Sequence, residues 1–91
     1  MTAITVTADH IAKGERGECM GCPVWLAITD ALPGLAYLAV FIQDIQLRPG
    51  PEDDDAEVEM PAEVLDFVRA FDHGLPVEPF TFELDYPAVT R

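Results

Sequence analysis

The sequence predicts a single α+β domain, with a small mixed sheet of four to five strands and two main helices on one face. Two hydrophobic periods alternate along the chain: short segments with every second residue apolar, and longer segments with apolar residues at helical spacing. The chain has 91 residues, of which 49% are hydrophobic. Because this length provides for only one modest core, we treat residues 1–91 as one compact acidic domain.

The chain begins with a predicted strand and a short helix. Residues 3–7 alternate aliphatic side chains with threonines, which is typical of a strand with one buried face. Thr7 is a favourable N-cap, and we expect a short helix over residues 8–13 that ends at Gly14.

A second, apolar helix is predicted to begin at Pro23, because proline suits the first helical position. Residues 24–32 are apolar on nearly every side, and Pro33 and Gly34 end the segment. A helix of this composition must be largely buried. We expect it to be the central packing element, with Trp25 as its largest anchor.

Strands are predicted on both sides of an acidic loop. Residues 35–42 and 44–48 predict a hairpin, and residues 57–60 predict a short edge strand. Residues 49–56 hold two prolines, a glycine and successive carboxylates, so we expect an exposed loop there.

The last two elements are a helix and a half-buried strand. Residues 61–73 have apolar side chains at helical spacing, and Gly74 follows as the stop. The expected core positions of this helix are Val64, Leu65, Val68 and Phe71, with Phe67 on the flank. Residues 79–85 alternate apolar with polar side chains, so one face of that strand should be solvated.

Charge is distributed unevenly. The chain has 17 acidic and 5 basic residues and a formal net charge of −12. Thirteen of the acids and three of the bases lie in residues 44–91. Such a field repels phosphate backbones and anionic membranes, so we expect no direct binding to nucleic acid or to a membrane. It attracts basic protein surfaces, including those that hold nucleic acid.

We therefore expect a non-enzymatic binding protein that uses its acidic half against a basic partner surface, as an inhibitor that imitates the charge of nucleic acid. The carboxylates expected to bind the partner are Glu52, Asp53, Asp54, Asp55, Glu57 and Glu59. The surface would extend, if the strands adjoin, to Asp44, Glu78, Glu83 and Asp85. Two alternatives are a solvated face without a partner and a structural or homodimeric domain with an apolar patch near residues 35–41.

Cys19 and Cys22, the only cysteines, form a C-x-x-C motif where the apolar helix is predicted to begin. A helix N-terminus favours the thiolate of Cys19, and Cys22 could then resolve a mixed disulfide. Glu18 acts in the opposite direction, because its charge disfavours a neighbouring thiolate. Cys22 serves equally well as a small buried hydrophobe. A thiol oxidoreductase is therefore the competing class of function.

A zinc site would need His10 and His73 in addition to Cys19 and Cys22. Because the four ligands lack zinc-finger spacing, we expect neither metal nor cofactor, and two histidines that are solvated or cap helices. The chain contains no serine and no glycine-rich phosphate loop, which removes two further classes of catalytic site. With no apolar stretch of membrane-spanning length and no signal segment, we expect a cytoplasmic protein.

Two sets of segments resemble known groups of proteins. The C-x-x-C motif with its helix and the segment VEPFTF at residues 77–82 are similar to parts of glutaredoxin-like proteins. That resemblance implies Cys19 as the attacking thiolate and Cys22 as the resolving thiol. The segments ITVTADHI, CPVWLAI and FDHGLPVEPFTF together resemble short proteins of actinobacteria and their phages. This second resemblance implies a small cytoplasmic accessory protein of phage type.

Overall fold

Five strands and three helices are seen in a computed structural model, which describes residues 2–17, 20–41 and 44–84. The α+β class predicted from the sequence is confirmed. In chain order the elements are β1 (Thr2–Val6), α1 (Ala8–Lys13), α2 (Pro23–Ala31), β2 (Tyr37–Val40), β3 (Asp44–Arg48), β4 (Ala56–Glu59), α3 (Ala62–Asp72) and β5 (Phe80–Leu84).

The strands are divided between two small antiparallel sheets, where a single mixed sheet was expected. β1 pairs with β5, with Ile4 opposite Phe82. The other sheet has the order β2-β3-β4, in which β2 and β3 form the predicted hairpin and β4 lies at an edge as predicted. Alternation of apolar residues predicts the faces of a strand but not its neighbours, and this is why the division was missed.

One apolar core joins both sheets to α2 and α3. Its members include Ile4, Val24, Ile28, Ile45, Leu47, Val58, Val64, Phe71, Phe82 and Leu84. On α3 the roles predicted for Leu65 and Phe67 are exchanged, since Phe67 is buried and Leu65 only partly so. The Phe67 ring packs on Phe80 of β5, with 4.8 Å between ring centroids. This contact with β5 explains why Phe67 is buried in the core.

α2 begins with Pro23 at the first position, as predicted, and Cys22 is its N-cap. The half-buried Trp25 indole donates its Nε1–H to the Leu38 carbonyl at 2.8 Å. The Phe41 N–H donates to the Asp44 carbonyl, so the antiparallel pattern directs the Leu38 carbonyl to the open side of β2. α2 is thereby fixed to the edge of the second sheet.

α1 is capped as predicted and is joined to α2. Thr7 accepts the His10 N–H, and His10 Nδ1 accepts the Thr7 N–H, which completes a capping box. His10 Nε2 bonds Asp30 near the end of α2. Gly14 ends the helix in an extended conformation.

No helix in the described ranges is long and apolar enough to cross a bilayer.

Candidate functional site

Carboxylates lie together on the outer face of β3 and β4. Core-facing residues alternate with outward-facing ones along both strands. The register places Asp44 directly opposite Glu59, and Gln46 opposite Glu57. Asp44 is half-buried, while Glu57 and Glu59 are exposed. We call Asp44, Glu57 and Glu59 the acidic face.

The acidic face places like charges at neighbouring positions of two strands. Side chains directly opposite in an antiparallel pair have Cβ atoms about 5 Å apart, and like charges there destabilise the pair by up to about 1 kcal/mol. Within the described residues, none of the three carboxylates has an ion pair. A cation supplied from outside the molecule would therefore reduce the repulsion between Asp44 and Glu59.

Arg48, the basic residue of β3, is already engaged. Its Nε lies 2.7 Å from Asp55 Oδ1, and this hydrogen bond, with the charge of Asp55, raises the pKa of the Arg48 guanidinium. Both side chains are partly exposed, so the pair contributes little stability. The pair matters for the distribution of charge. Because Arg48 is paired with Asp55, it does not neutralise the acidic face. The negative charge of Asp55, a predicted binding residue, is largely compensated by Arg48.

The loop between β3 and β4 presents two of the other predicted carboxylates. It covers residues 49–55, one fewer than predicted, since Ala56 already belongs to β4. The Asp53 N–H donates to the Gly50 carbonyl at 3.0 Å and closes a turn, with Asp53 itself half-buried. Glu52 and Asp54 are exposed beside it. The loop thus adds negative charge at the end of β3 opposite to Asp44.

Of the residues proposed to extend this surface, Asp44 is placed beside β4 by the strand register. Glu83 lies on β5, which pairs with β1 and places it opposite Ala3 in the other sheet. Glu78 is exposed in the segment that leads into β5. Asp85 lies outside the described residues. The sequence analysis expected Glu83 to extend the surface only if its strand adjoined β3 and β4. β5 does not pair with either of them, so this condition is not met for Glu83.

Cys22 is an architectural residue in the described part of the chain. Only 3% of it is exposed, and its Sγ accepts the Trp25 N–H at 3.4 Å. Burial raises the pKa of the Cys22 thiol, against a smaller lowering effect of that N–H. Cys19 and Glu18 lie outside the described residues. The dithiol couple stays a prediction, to which the environment of Cys22 adds no support.

Both histidines have hydrogen-bond partners within the described residues. His10 bonds Thr7 and Asp30, and His73 Nδ1 is 2.8 Å from the Arg69 carbonyl at the end of α3. Across residues 2–17, 20–41 and 44–84, no three His, Cys, Asp or Glu side chains are grouped so as to hold a metal ion. Since Cys19 is outside these ranges, the four-ligand zinc alternative is not tested by this geometry.

Sequence reasoning missed the opposition of Asp44 and Glu59, which depends on a register that the loop of residues 49–55 leaves open. Part of the segment 35–41, where an apolar patch was expected, lines an apolar hollow of about 290 Å³ between the end of α2 and β2. The hollow is lined chiefly by Met20, Trp25, Thr29, Leu32, Leu35 and Tyr37. The sequence does not show that residues of α2 form its other wall.

Comparisons of the chain with profiles of protein families, with curated proteins and with solved structures found no match. The geometry of the chain itself is therefore the basis for a functional assignment.

Proposed function

We propose that the protein binds a basic surface of a partner protein through the acidic face. In this role it is a non-enzymatic accessory or inhibitory protein of phage type, and it occupies a surface that otherwise holds nucleic acid. The observation that supports this most directly is Asp44 opposite Glu59, with no cation paired to either in the described residues.

The energetic argument is that binding would relieve a repulsion present in the free protein. A lysine or arginine of the partner, placed between Asp44 and Glu59, would interact with both carboxylates at once. Glu57 lies on the same face, and Glu52 and Asp54 continue the charge along the loop. Because a nucleic-acid-binding surface is built to neutralise closely spaced anions, it is the class of partner that suits this array.

The decisive experiment neutralises the face without changing its shape. The variant Asp44→Asn, Glu57→Gln, Glu59→Gln is compared with the wild type as a competitor of a basic DNA-binding protein loaded with fluorescent duplex DNA. We expect the wild type to displace the DNA, and the triple variant to need at least about tenfold more protein for the same displacement. The salt dependence of the competition should decrease with it.

A matched control separates the acidic face from net charge. The exposed acids Glu15, Asp66 and Glu83 lie elsewhere on the molecule and have no side-chain partner in the described residues. The variant Glu15→Gln, Asp66→Asn, Glu83→Gln changes the net charge by the same amount. It should compete like the wild type; an equal loss in both triple variants, or none in either, would overturn the proposal.

A further inference from the structure

The two edges of the three-stranded sheet differ in whether another strand can join them. At β2 the Leu38 carbonyl is occupied by the Trp25 indole. In the part of the chain that the structure describes, β4 pairs with β3 alone, and residues 56–59 make no backbone bond on the other side. Such an edge offers unpaired N–H and C=O groups to an extended segment.

The antiparallel pattern determines which groups of β4 face outward. The Phe41 N–H donates to the Asp44 carbonyl, so the backbone groups of Asp44 point to β2. Because successive residues of a strand alternate, those of Ile45 point to its partner on β4, Val58. Val58 thus faces inward, and the N–H and C=O groups of the residues on either side of it face the open edge.

These outward groups belong to Glu57 and Glu59, the two carboxylates of the acidic face that lie on β4. A strand added antiparallel there would form hydrogen-bonded pairs with both residues. The side chains directly opposite would lie on the same face as the two carboxylates, about 5 Å away between Cβ atoms. They would come from every second residue of the added strand.

Space for such a strand lies next to β4. A depression of about 350 Å³ is lined by residues 57–62, which lead from β4 into α3. No other described element lines it, so an incoming chain has room beside Glu57 and Glu59. Pro61 has no N–H to donate, and it limits the pairing to the residues before it.

Charge identifies the occupant of this edge. A second copy of β4 would place glutamates opposite glutamates, and like charges at directly opposite positions destabilise a strand pair. A segment with lysine or arginine at every second position places a cation opposite Glu57 and another opposite Glu59. The backbone requirement and the charge requirement are then met by the same residues of the partner.

We propose that the basic partner surface includes an extended segment with lysine or arginine at every second position, which joins β4 as an antiparallel strand. This inference rests on the proposed function and adds that the partner is held by backbone hydrogen bonds as well as by charge.

The test measures binding of a short fluorescent peptide to the full-length wild type by anisotropy at low ionic strength. Lysine and threonine alternate in the peptide, and both of its ends are blocked. Two further forms carry the same charge, one N-methylated at every lysine and the other at every threonine. Methylation at the lysines should raise the dissociation constant at least about tenfold, because their N–H groups would donate to the carbonyls of Glu57 and Glu59.

The form methylated at the threonines is the matched control. Its altered N–H groups face away from β4, so its dissociation constant should stay within about twofold of the parent's. Equal affinity of all three peptides, a larger loss for the threonine form, or no binding of any peptide would each overturn strand addition. The proposed function is decided separately by the DNA competition, in which no peptide is used.

Discussion

Trp25 protects a sheet edge that would otherwise be open to another strand. The Leu38 carbonyl points away from β3, and an unpaired edge carbonyl is a template for strand addition. The indole N–H occupies it at 2.8 Å. One side chain therefore anchors α2, satisfies a backbone acceptor and leaves the edge of β2 less available for pairing.

Trp25→Phe should keep most of the packing and lose this hydrogen bond. We expect the free energy of unfolding to decrease by about 1–2 kcal/mol, measured by urea denaturation, since the Leu38 carbonyl is left without its donor. Tyr37→Phe is the control, because the Tyr37 hydroxyl has no hydrogen bond within the described residues. Equal stability of wild type and Trp25→Phe would show that the bond contributes nothing.

Cys22 should make stability depend on alkaline pH. Its thiol pKa is raised in the folded protein by burial, so the folded state holds this proton more tightly than the unfolded chain, where the ordinary value is 9.0. The resulting stabilisation is fully present below that value and is lost as pH rises through the folded pKa. The free energy of unfolding of the wild type should therefore decrease with pH above about 9.

Cys22→Ser is the comparison for this measurement, because a hydroxyl can still cap α2 and does not titrate in this range. Its stability should decline less steeply between neutral and alkaline pH. Parallel pH profiles for the two proteins would contradict the assignment.

At the scale of elements, α1 and α2 are held together by a close approach at Gly14. A Cβ added there would lie 2.7 Å from the Pro23 nitrogen and would also contact the pyrrolidine ring. Neither the ring nor the backbone at the start of α2 can move aside easily. The sequence predicts Gly14 as a helix stop. Its φ of −69° is accessible to any residue, so backbone conformation does not require glycine here. Glycine is required because there is no room for a side chain beside Pro23.

Gly14→Ala should therefore destabilise the protein, by about 1–3 kcal/mol, because α1 must shift away from Pro23. Thermal or chemical denaturation measures this directly. Gly50→Ala is the control: its added Cβ meets the Oδ2 end of the Asp53 side chain and neither a ring nor a backbone atom. If both variants unfold at the same midpoint, the contact with Pro23 is not a constraint.

For the whole molecule, the separation of charged and uncharged surfaces is the main result. Glu57 and Glu59 of the acidic face lie on β4 and Asp44 lies on the central strand β3, whereas the apolar hollow borders β2. The proposed binding depends on the charge of the acidic face, so the affinity for a basic partner should decrease as salt is added.

Much of the fold could be predicted because its signals are local. Thr7, Cys22-Pro23 and Gly74 mark helix ends through capping chemistry that acts over a few residues. The pairing of β1 with β5 joins residues about 80 positions apart, and nothing in either strand specifies the other. The acidic character of β4 was predicted, but its opposition to Asp44 required the register.

His10 gives the shortest helix an unusual dependence on its neighbour. α1 has six residues, too few for a helix to persist alone in water. Since Nδ1 accepts the Thr7 N–H, the imidazole is the neutral tautomer that donates through Nε2 to Asp30. One ring thus links the first turn of α1 to the last turn of α2. We therefore expect the amides of these two turns to exchange with solvent at linked rates.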